Sequence, residues 1–253
     1  MLFKIRLSIL TDMRTYSEFI EVVSSLADRP LPTELEQSME VIQEIEEIAR
    51  NPGIVLQPEQ EELFSSLPVV RQVRDLYEHA CTMTEDLDAG NSDSSIVAYI
   101  GQESTALDID NTSNVAFVGC GSVPESVLLY SNLAGHVTGI ECRPDAVLLA
   151  RQATADKPNV TIHEGFGEEY NYMKFGHIVV ALMVRDKSRI LGQIAATAND
   201  TTRVIVRTIS GVRTMLHESL GEIPASYQHL ENVYDNTGES LYYSQLLEVQ
   251  KSS

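Results

Sequence analysis

From Asn114 onward, short runs of β-branched and other apolar residues alternate with helical stretches, and this alternation constrains the fold more than any other feature. The runs are Asn114–Val118, Val137–Glu141, Val160–His163, His177–Leu182 and Thr202–Arg207. Strand, helix and strand in succession mean parallel strands joined by crossover helices, because parallel neighbours cannot be linked by a tight turn. Two later runs, Tyr227–Tyr234 and Leu241–Val249, predict a closing antiparallel hairpin.

Upstream the texture is different. From Thr15 to about Ala89 apolar residues recur three and four apart, first Phe19, Val22, Val23 and Leu26, then Leu35, Met39, Ile42, Ile45 and Ile48. That spacing predicts amphipathic helices. Prolines at 30, 32, 52, 58 and 68 punctuate the region, and Thr33 with Glu36 forms an expected capping box for the second helix. Polar stretches at 89–95 and 108–113 loosen the chain. We place a boundary near residue 110, giving a helical cap or substrate domain over 1–110 and a nucleotide-binding domain over 111–253. A chain of 253 residues accommodates one large or two unequal domains.

The sharpest local signal is Val115–Pro124, a buried strand that runs into Gly119-Cys120-Gly121 and then a helix through Val127, Leu128 and Leu129. Gly119 suits a tight turn and Gly121 a close approach of backbone to ligand. Pro124 stands where a dinucleotide fingerprint carries its third glycine. That departure favours a nucleoside ligand without pyrophosphate, such as S-adenosylmethionine, over NAD. The next strand ends in Glu141, about twenty residues after the glycines, where a carboxylate can accept ribose hydroxyls. Cys142-Arg-Pro-Asp145 is expected to cap the following helix. Within Ile162–Gly167, Phe166 can pack on an adenine ring, while His163 reads as structural.

Charge and cysteine usage exclude several classes. Thirty-seven acidic against eighteen basic residues leave a net charge of −19, which repels a phosphate backbone, and no concentrated basic face offsets it. Nucleic acid is not an expected partner. Apolar runs are far shorter than the ~20 residues of a membrane helix, and the N-terminus lacks the core and cleavage site of a signal peptide, so the chain reads as cytoplasmic and without a membrane partner. Three cysteines without a CxxC pair, and six scattered histidines, suggest neither a disulfide framework nor a metal site. A homodimer is compatible with the sequence.

Phe117–Pro124 resembles the Gly-x-Gly-x-x-Pro turn of nicotianamine synthases and the bacterial aminobutanoyltransferases that make opine-type metallophores. Val180–Lys187 resembles that family's fourth-strand segment. Val206–Leu216 resembles its Val-Arg-Ser/Thr-x-x-Gly-x-Arg-x-x-Leu segment, the most distinctive of the three. The likeness covers about residues 70 to 249. The family's run of tyrosines and an asparagine ahead of the glycine turn is reduced here to Tyr99 followed by Glu103.

The resemblance implies an α/β fold with a Rossmann-like, class I methyltransferase-type sheet and an N-terminal α-helical cap domain. It implies transfer of the 3-amino-3-carboxypropyl (aminobutanoyl) group of S-adenosylmethionine, the donor substrate, to the amine of a small amino acid, most plausibly histidine, releasing methylthioadenosine on the way to a metallophore. The donor site would comprise Gly119, Cys120, Gly121, Pro124, Glu141, Cys142, Gly165, Phe166, Ala181 and Leu182. Glu85 would act on the acceptor amine, with Tyr99 as counterpart of the family's catalytic tyrosine and Glu78 and His79 as lesser bases. Arg213 would hold the acceptor carboxylate as a bidentate pair, and His217 is a possible substrate contact. Three alternatives stand beside this: a small-molecule methyltransferase, cyclisation of the methionine arm to azetidine-2-carboxylate, and a nucleoside-binding module without catalysis.

Overall fold

The computed structural model describes residues 16–50, 56, 58–84, 94–234 and 241–251. By its contacts the chain divides into two units, Met1–Leu87 with Ile209–Ser219, and Asp88–Thr208 with Leu220–Ser253. The division falls nearer residue 88 than 110, and it assigns the segment after the fifth strand to the helical unit.

The second unit is built on a seven-stranded sheet. Its strands are β1 (Asn114–Val118), β2 (His136–Glu141), β3 (Val160–Glu164), β4 (His177–Val180), β5 (Arg203–Thr208), β6 (Tyr227–Val233) and β7 (Tyr243–Val249), in the spatial order β3-β2-β1-β4-β5-β7-β6. The first five are parallel, and β7 pairs antiparallel with both β5 and β6, so the expected hairpin closes the sheet. The β-branched runs sit at the centre because a parallel strand is covered on both faces. In β1, Val115 and Phe117 belong to one apolar cluster while Ala116 and Val118 belong to another, the period-two alternation of a strand.

Helices α5 (Ser94–Leu107), α6 (Glu125–Ser131) and α7 (Pro144–Ala153) supply Ile100, Leu107, Val127, Tyr130, Val147 and Ala150 to the first cluster. Helix α8 (Lys187–Thr197) supplies Ile190, Leu191 and Ile194 to the second. Strand order reverses between β1 and β4, so the carboxyl ends of these two strands flank the crevice where open α/β sheets take their ligands.

The first unit contains α1 (Tyr16–Ala27), α2 (Leu35–Ala49), α3 (Pro58–Ser66) and α4 (Pro68–Thr84). Phe19, Val23 and Leu26 of α1, Ile45 and Ile48 of α2, and Val70, Val73, Leu76 and Ala80 of α4 are buried, with the Phe19 and Phe64 rings 5.7 Å apart. Two details differ from the sequence expectation. Helix α2 buries Ser38, Val41, Ile45, Ile48 and Ala49, while Leu35 and Met39 are exposed, so its core stripe is rotated away from its first two apolar positions. The capping box of Thr33 and Glu36 does not form: Glu34 is the N-cap without a side-chain cap bond, and the Thr33 N–H donates to Gln37 Oε1 at 3.3 Å. The helix starts one residue later than the box requires, which moves the reach-back role from Glu36 to Gln37. Among the described residues no helix is long and apolar enough to cross a membrane.

Candidate functional site

The turn after β1 is shaped by two left-handed glycines, Gly119 at φ +79° and Gly121 at φ +68°. Their roles differ. The Gly119 N–H donates to Ile140 O at 2.8 Å, and a Cβ added at Gly119 would collide with Val184 Cγ2. At Gly121 a Cβ would meet nothing within 4 Å, so the backbone there faces open space into which a ligand can come close. Cys120 between them is buried, and burial followed by the Glu141 carboxylate pushes its thiol up to about 12. Pro124 is the N-cap of α6 and its carbonyl accepts from Leu128 N–H at 3.0 Å, so it starts the short helix. Gly119→Ala combines a positive φ with the Val184 clash and should cost about 1–3 kcal/mol, measured by urea denaturation; an unchanged midpoint would show that neither the backbone conformation nor Val184 resists the added methyl.

Glu141, at the end of β2, is buried and held by the backbone around it. Its Oε1 accepts from the N–H groups of Cys142 and Arg143, both at 3.0 Å, and its Oε2 accepts from Gly121 N–H at 2.9 Å. The carboxylate therefore ties the glycine turn to the β2 end. Two backbone donors occupy Oε1, whereas Oε2 keeps an accepting position. The expected cap from Cys142–Asp145 takes a different form: Arg143 is the N-cap of α7 with no side-chain bond, Pro144 opens the helix, and Glu141 receives the Arg143 N–H instead. Cys142 is exposed, and the partial desolvation of its thiol, then the Glu141 carboxylate, raise it above its ordinary value. Gly165 N–H donates to Glu141 O at 2.9 Å, and the Phe166 ring beside it is 53% exposed. His163 packs edge-on against Tyr170 at 4.8 Å.

Ala181 and Leu182 follow β4 on the other side of the reversal point. Ala181 N–H donates to Val118 O at 3.0 Å, and Val184 N–H to Ala181 O at 3.3 Å. The structure thus gathers the ends of β1, β2 and β4 with the post-β3 loop on the sheet unit.

Tyr99 lies inside a buried polar network that the sequence reading passed over. Glu103 of α5 is wholly buried and accepts from Arg207 Nε at 3.0 Å and Nη2 at 2.7 Å, a bidentate pair. Ser244 Oγ and Tyr130 OH also donate to Glu103, at 2.6 and 2.8 Å. Arg207 Nη1 donates to Ser126 Oγ at 3.0 Å, and the guanidinium lies 5.8 and 5.3 Å from the Tyr99 and Phe117 rings. The Tyr99 hydroxyl is 2.7 Å from Ser244 Oγ. Burial, then the Glu103 carboxylate, raises this phenol well above its ordinary range, so Tyr99 is a neutral hydroxyl at neutral pH. A signal was present: Arg207 interrupts an apolar strand, and Glu103 shares a helix face with Ile96, Ile100 and Leu107, so each charge needed a partner.

In the helical unit, Glu85 lies outside the described residues. Its lesser alternatives on α4 are engaged: Glu78 is half-buried, and His79 Nε2 is 3.0 Å from Pro32 O. Tyr77 OH donates to Glu46 Oε1 at 2.8 Å, and its ring meets His217 edge-on at 5.4 Å. Arg213 is half-buried in the short 3-10 helix Gly211–Met215. That segment is fixed by a residue the sequence reading passed over, Arg74 of α4, which donates to Thr214 O through Nε at 3.0 Å and Nη2 at 2.6 Å.

Together, an open, mostly parallel sheet with a glycine cradle at its reversal point and a strand-end acid define an α/β protein with a candidate ligand site at the carboxyl ends of its central strands. No family model matches the chain. In sequence it is similar to the L-histidine 2-aminobutanoyltransferase of Pseudomonas aeruginosa (strain UCBPP-PA14), 24% identical over 187 residues that cover 71% of this chain and 70% of that protein. In fold it is similar to the nicotianamine synthase MtNAS. A glutamate-to-glutamine variant of MtNAS in complex with S-adenosylmethionine gives a TM-score of 0.77 at 20% identity, covering 95% of this chain and all of that one. MtNAS in complex with MTA and tNA gives 0.76 at 19% with the same coverage. The resemblance carried by the glycine turn and the segments after β4 and β5 is met in both comparisons.

Proposed function

We propose that this chain is an S-adenosylmethionine-dependent aminobutanoyltransferase that moves the 3-amino-3-carboxypropyl group to the amine of an amino acid, histidine, and releases methylthioadenosine as a step toward a metallophore. The observation that carries the reading is the Glu141 carboxylate, fixed by three backbone N–H groups with an accepting position left on Oε2, beside the open backbone of Gly121. The relative named for aminobutanoyl transfer to histidine supports the reaction type, and the fold's likeness to a protein solved with S-adenosylmethionine supports the donor.

These residues suit the donor. Oε2 of Glu141 would accept a ribose hydroxyl, the Gly119–Gly121 turn would approach the methionyl arm, and the exposed face of Phe166 would cover the adenine, with Gly165, Cys142, Pro124, Ala181 and Leu182 completing the walls. Cys120, a protonated thiol, would serve by packing. When bound, the sulfonium supplies an electrophilic carbon and a neutral thioether leaving group. The acceptor nitrogen forms its bond to the methylene carbon as the carbon–sulfur bond breaks, and the nitrogen loses a proton to a base. We assign that base to Glu85 and the acceptor carboxylate to Arg213. Tyr99, its hydroxyl occupied by Ser244, is assigned to seating Arg207.

Mass spectrometry of the protein incubated with labelled S-adenosylmethionine and histidine tests the proposal. Methylthioadenosine and a histidine carrying one aminobutanoyl unit are expected. S-adenosylhomocysteine with a methylated acceptor would replace the proposal with a methyltransferase, and azetidine-2-carboxylate without acceptor product would replace it with a cyclase. Binding without turnover across the common amino acids would leave a module. Glu141→Ala should weaken donor binding about 10–100-fold in calorimetry, the loss of one charge-assisted hydrogen bond; a change below about threefold would remove the ribose role from Glu141.

A further inference from the structure

Lys187 is placed against two physical preferences. It is the first residue of α8, where the helix dipole disfavours a positive charge, and its side chain is almost wholly buried at 3% exposure, where an ammonium is costly. Its Nζ turns back to donate to Leu182 O and Val184 O, both at 2.8 Å. These carbonyls belong to the turn after β4, which also hangs from Val118 through the Ala181 N–H. Asp186, held at φ +49°, caps the helix with its carboxylate toward Arg189 N–H and so turns the chain for the lysine to reach back. The turn that results puts Val184 Cγ2 in the space that the missing side chain of Gly119 leaves. The glycine turn and the β4 turn thus interlock across the strand-order reversal, and Lys187 is the clasp.

We infer that Lys187 is a positioning residue for group transfer: its ammonium holds the Ala181–Val184 turn against Gly119, and this fixes the crevice wall that selects which sulfonium carbon faces the nucleophile. The inference rests on the reading of the chain as an S-adenosylmethionine-dependent transferase. A turn released from Lys187 would still leave Glu141 and Gly121 to bind the nucleoside, while alignment of the methionyl arm with the amine would relax. The relaxed arm has an alternative outlet. Its own carboxylate can displace the thioether at the γ-carbon, forming a carbon–oxygen bond as the carbon–sulfur bond breaks, which yields homoserine lactone and methylthioadenosine with no other reactant.

The test compares the full chain with Lys187→Met and Lys187→Arg, measuring donor affinity by calorimetry and the acceptor product formed per methylthioadenosine by mass spectrometry. Lys187→Met should hold the donor within about threefold yet form at least about threefold less acceptor product per methylthioadenosine, and Lys187→Arg should recover most of that ratio. Wild-type coupling in Lys187→Met overturns the inference, as does a parallel loss of affinity and turnover with coupling preserved. If Lys187→Met does not fold, Val184→Ala, which empties the space beside Gly119, decides instead: reduced coupling supports the inference and unchanged coupling overturns it. A wild-type chain that releases no methylthioadenosine with any amino acid sinks the transferase reading itself, an outcome visible before any variant is compared.

Discussion

Glu103→Ala should destabilise the sheet unit by about 3–5 kcal/mol, because it strands the Arg207 guanidinium in a dry site. Glu103 and Arg207 are 0% and 6% exposed, and the carboxylate accepts four hydrogen bonds, from Arg207 twice, Ser244 and Tyr130. The network joins α5, α6, β5 and β7, so its loss loosens four elements together. In the wild-type chain the Glu103 carboxylate outweighs burial and raises the Arg207 guanidinium above its ordinary value; once Glu103 is gone only burial acts on it, and a guanidinium is too basic to escape by losing its proton, so the charge is left orphaned. Replacing both partners by apolar residues, Glu103→Leu with Arg207→Met, should restore much of the stability, since the cost lies in the unpaired charge. Urea denaturation checks both. A single variant within about 1 kcal/mol of wild type would mean that water enters the network and solvates Arg207.

Glu85→Gln should reduce turnover by about 100-fold or more while donor affinity stays within about threefold. An amino-acid amine is mostly protonated at neutral pH and cannot attack a sulfonium carbon until it has lost that proton. Glutamine keeps the volume of glutamate but cannot take the proton. The donor contacts proposed at Gly121, Glu141 and Phe166 lie on other segments, so binding should survive. The deficit should also shrink as pH rises, because more acceptor is then unprotonated without help. Steady-state kinetics across pH with calorimetry on the same samples checks this, and undiminished turnover removes Glu85 from the chemistry.

Much of the sheet was legible because its determinants are local. The β1 boundaries, Asn114–Val118, match the expected run, and the other strands lie within two residues at each end of theirs. The glycine turn was also readable, since positive φ at Gly119 and Gly121 is a backbone requirement that glycine advertises. The reason for Gly119 was not readable: the sequence suggested a tight turn, and the structure adds a steric one, the Val184 methyl that arrives from the β4 turn sixty-five residues later. The stripe of α2 was misread at Leu35 and Met39 because several rotations of a helix satisfy a period of 3.6, and its packing partners select one.

Residue type and spacing alone determined the parallel strands, the antiparallel closure, the cradle at the end of β1 and the acid at the end of β2, since strand propensity, glycine conformation and short-range order are encoded within a few residues. Only the tertiary structure decided that Tyr99 is enclosed with Glu103 and Arg207, that Lys187 clasps the β4 turn, and that Ile209–Ser219 groups with the helical unit. Each of these depends on which distant groups meet when the core closes. A buried charge must find its partner wherever the chain brings one, and that partner stands about a hundred residues away for Arg207 but only a few residues back for Lys187.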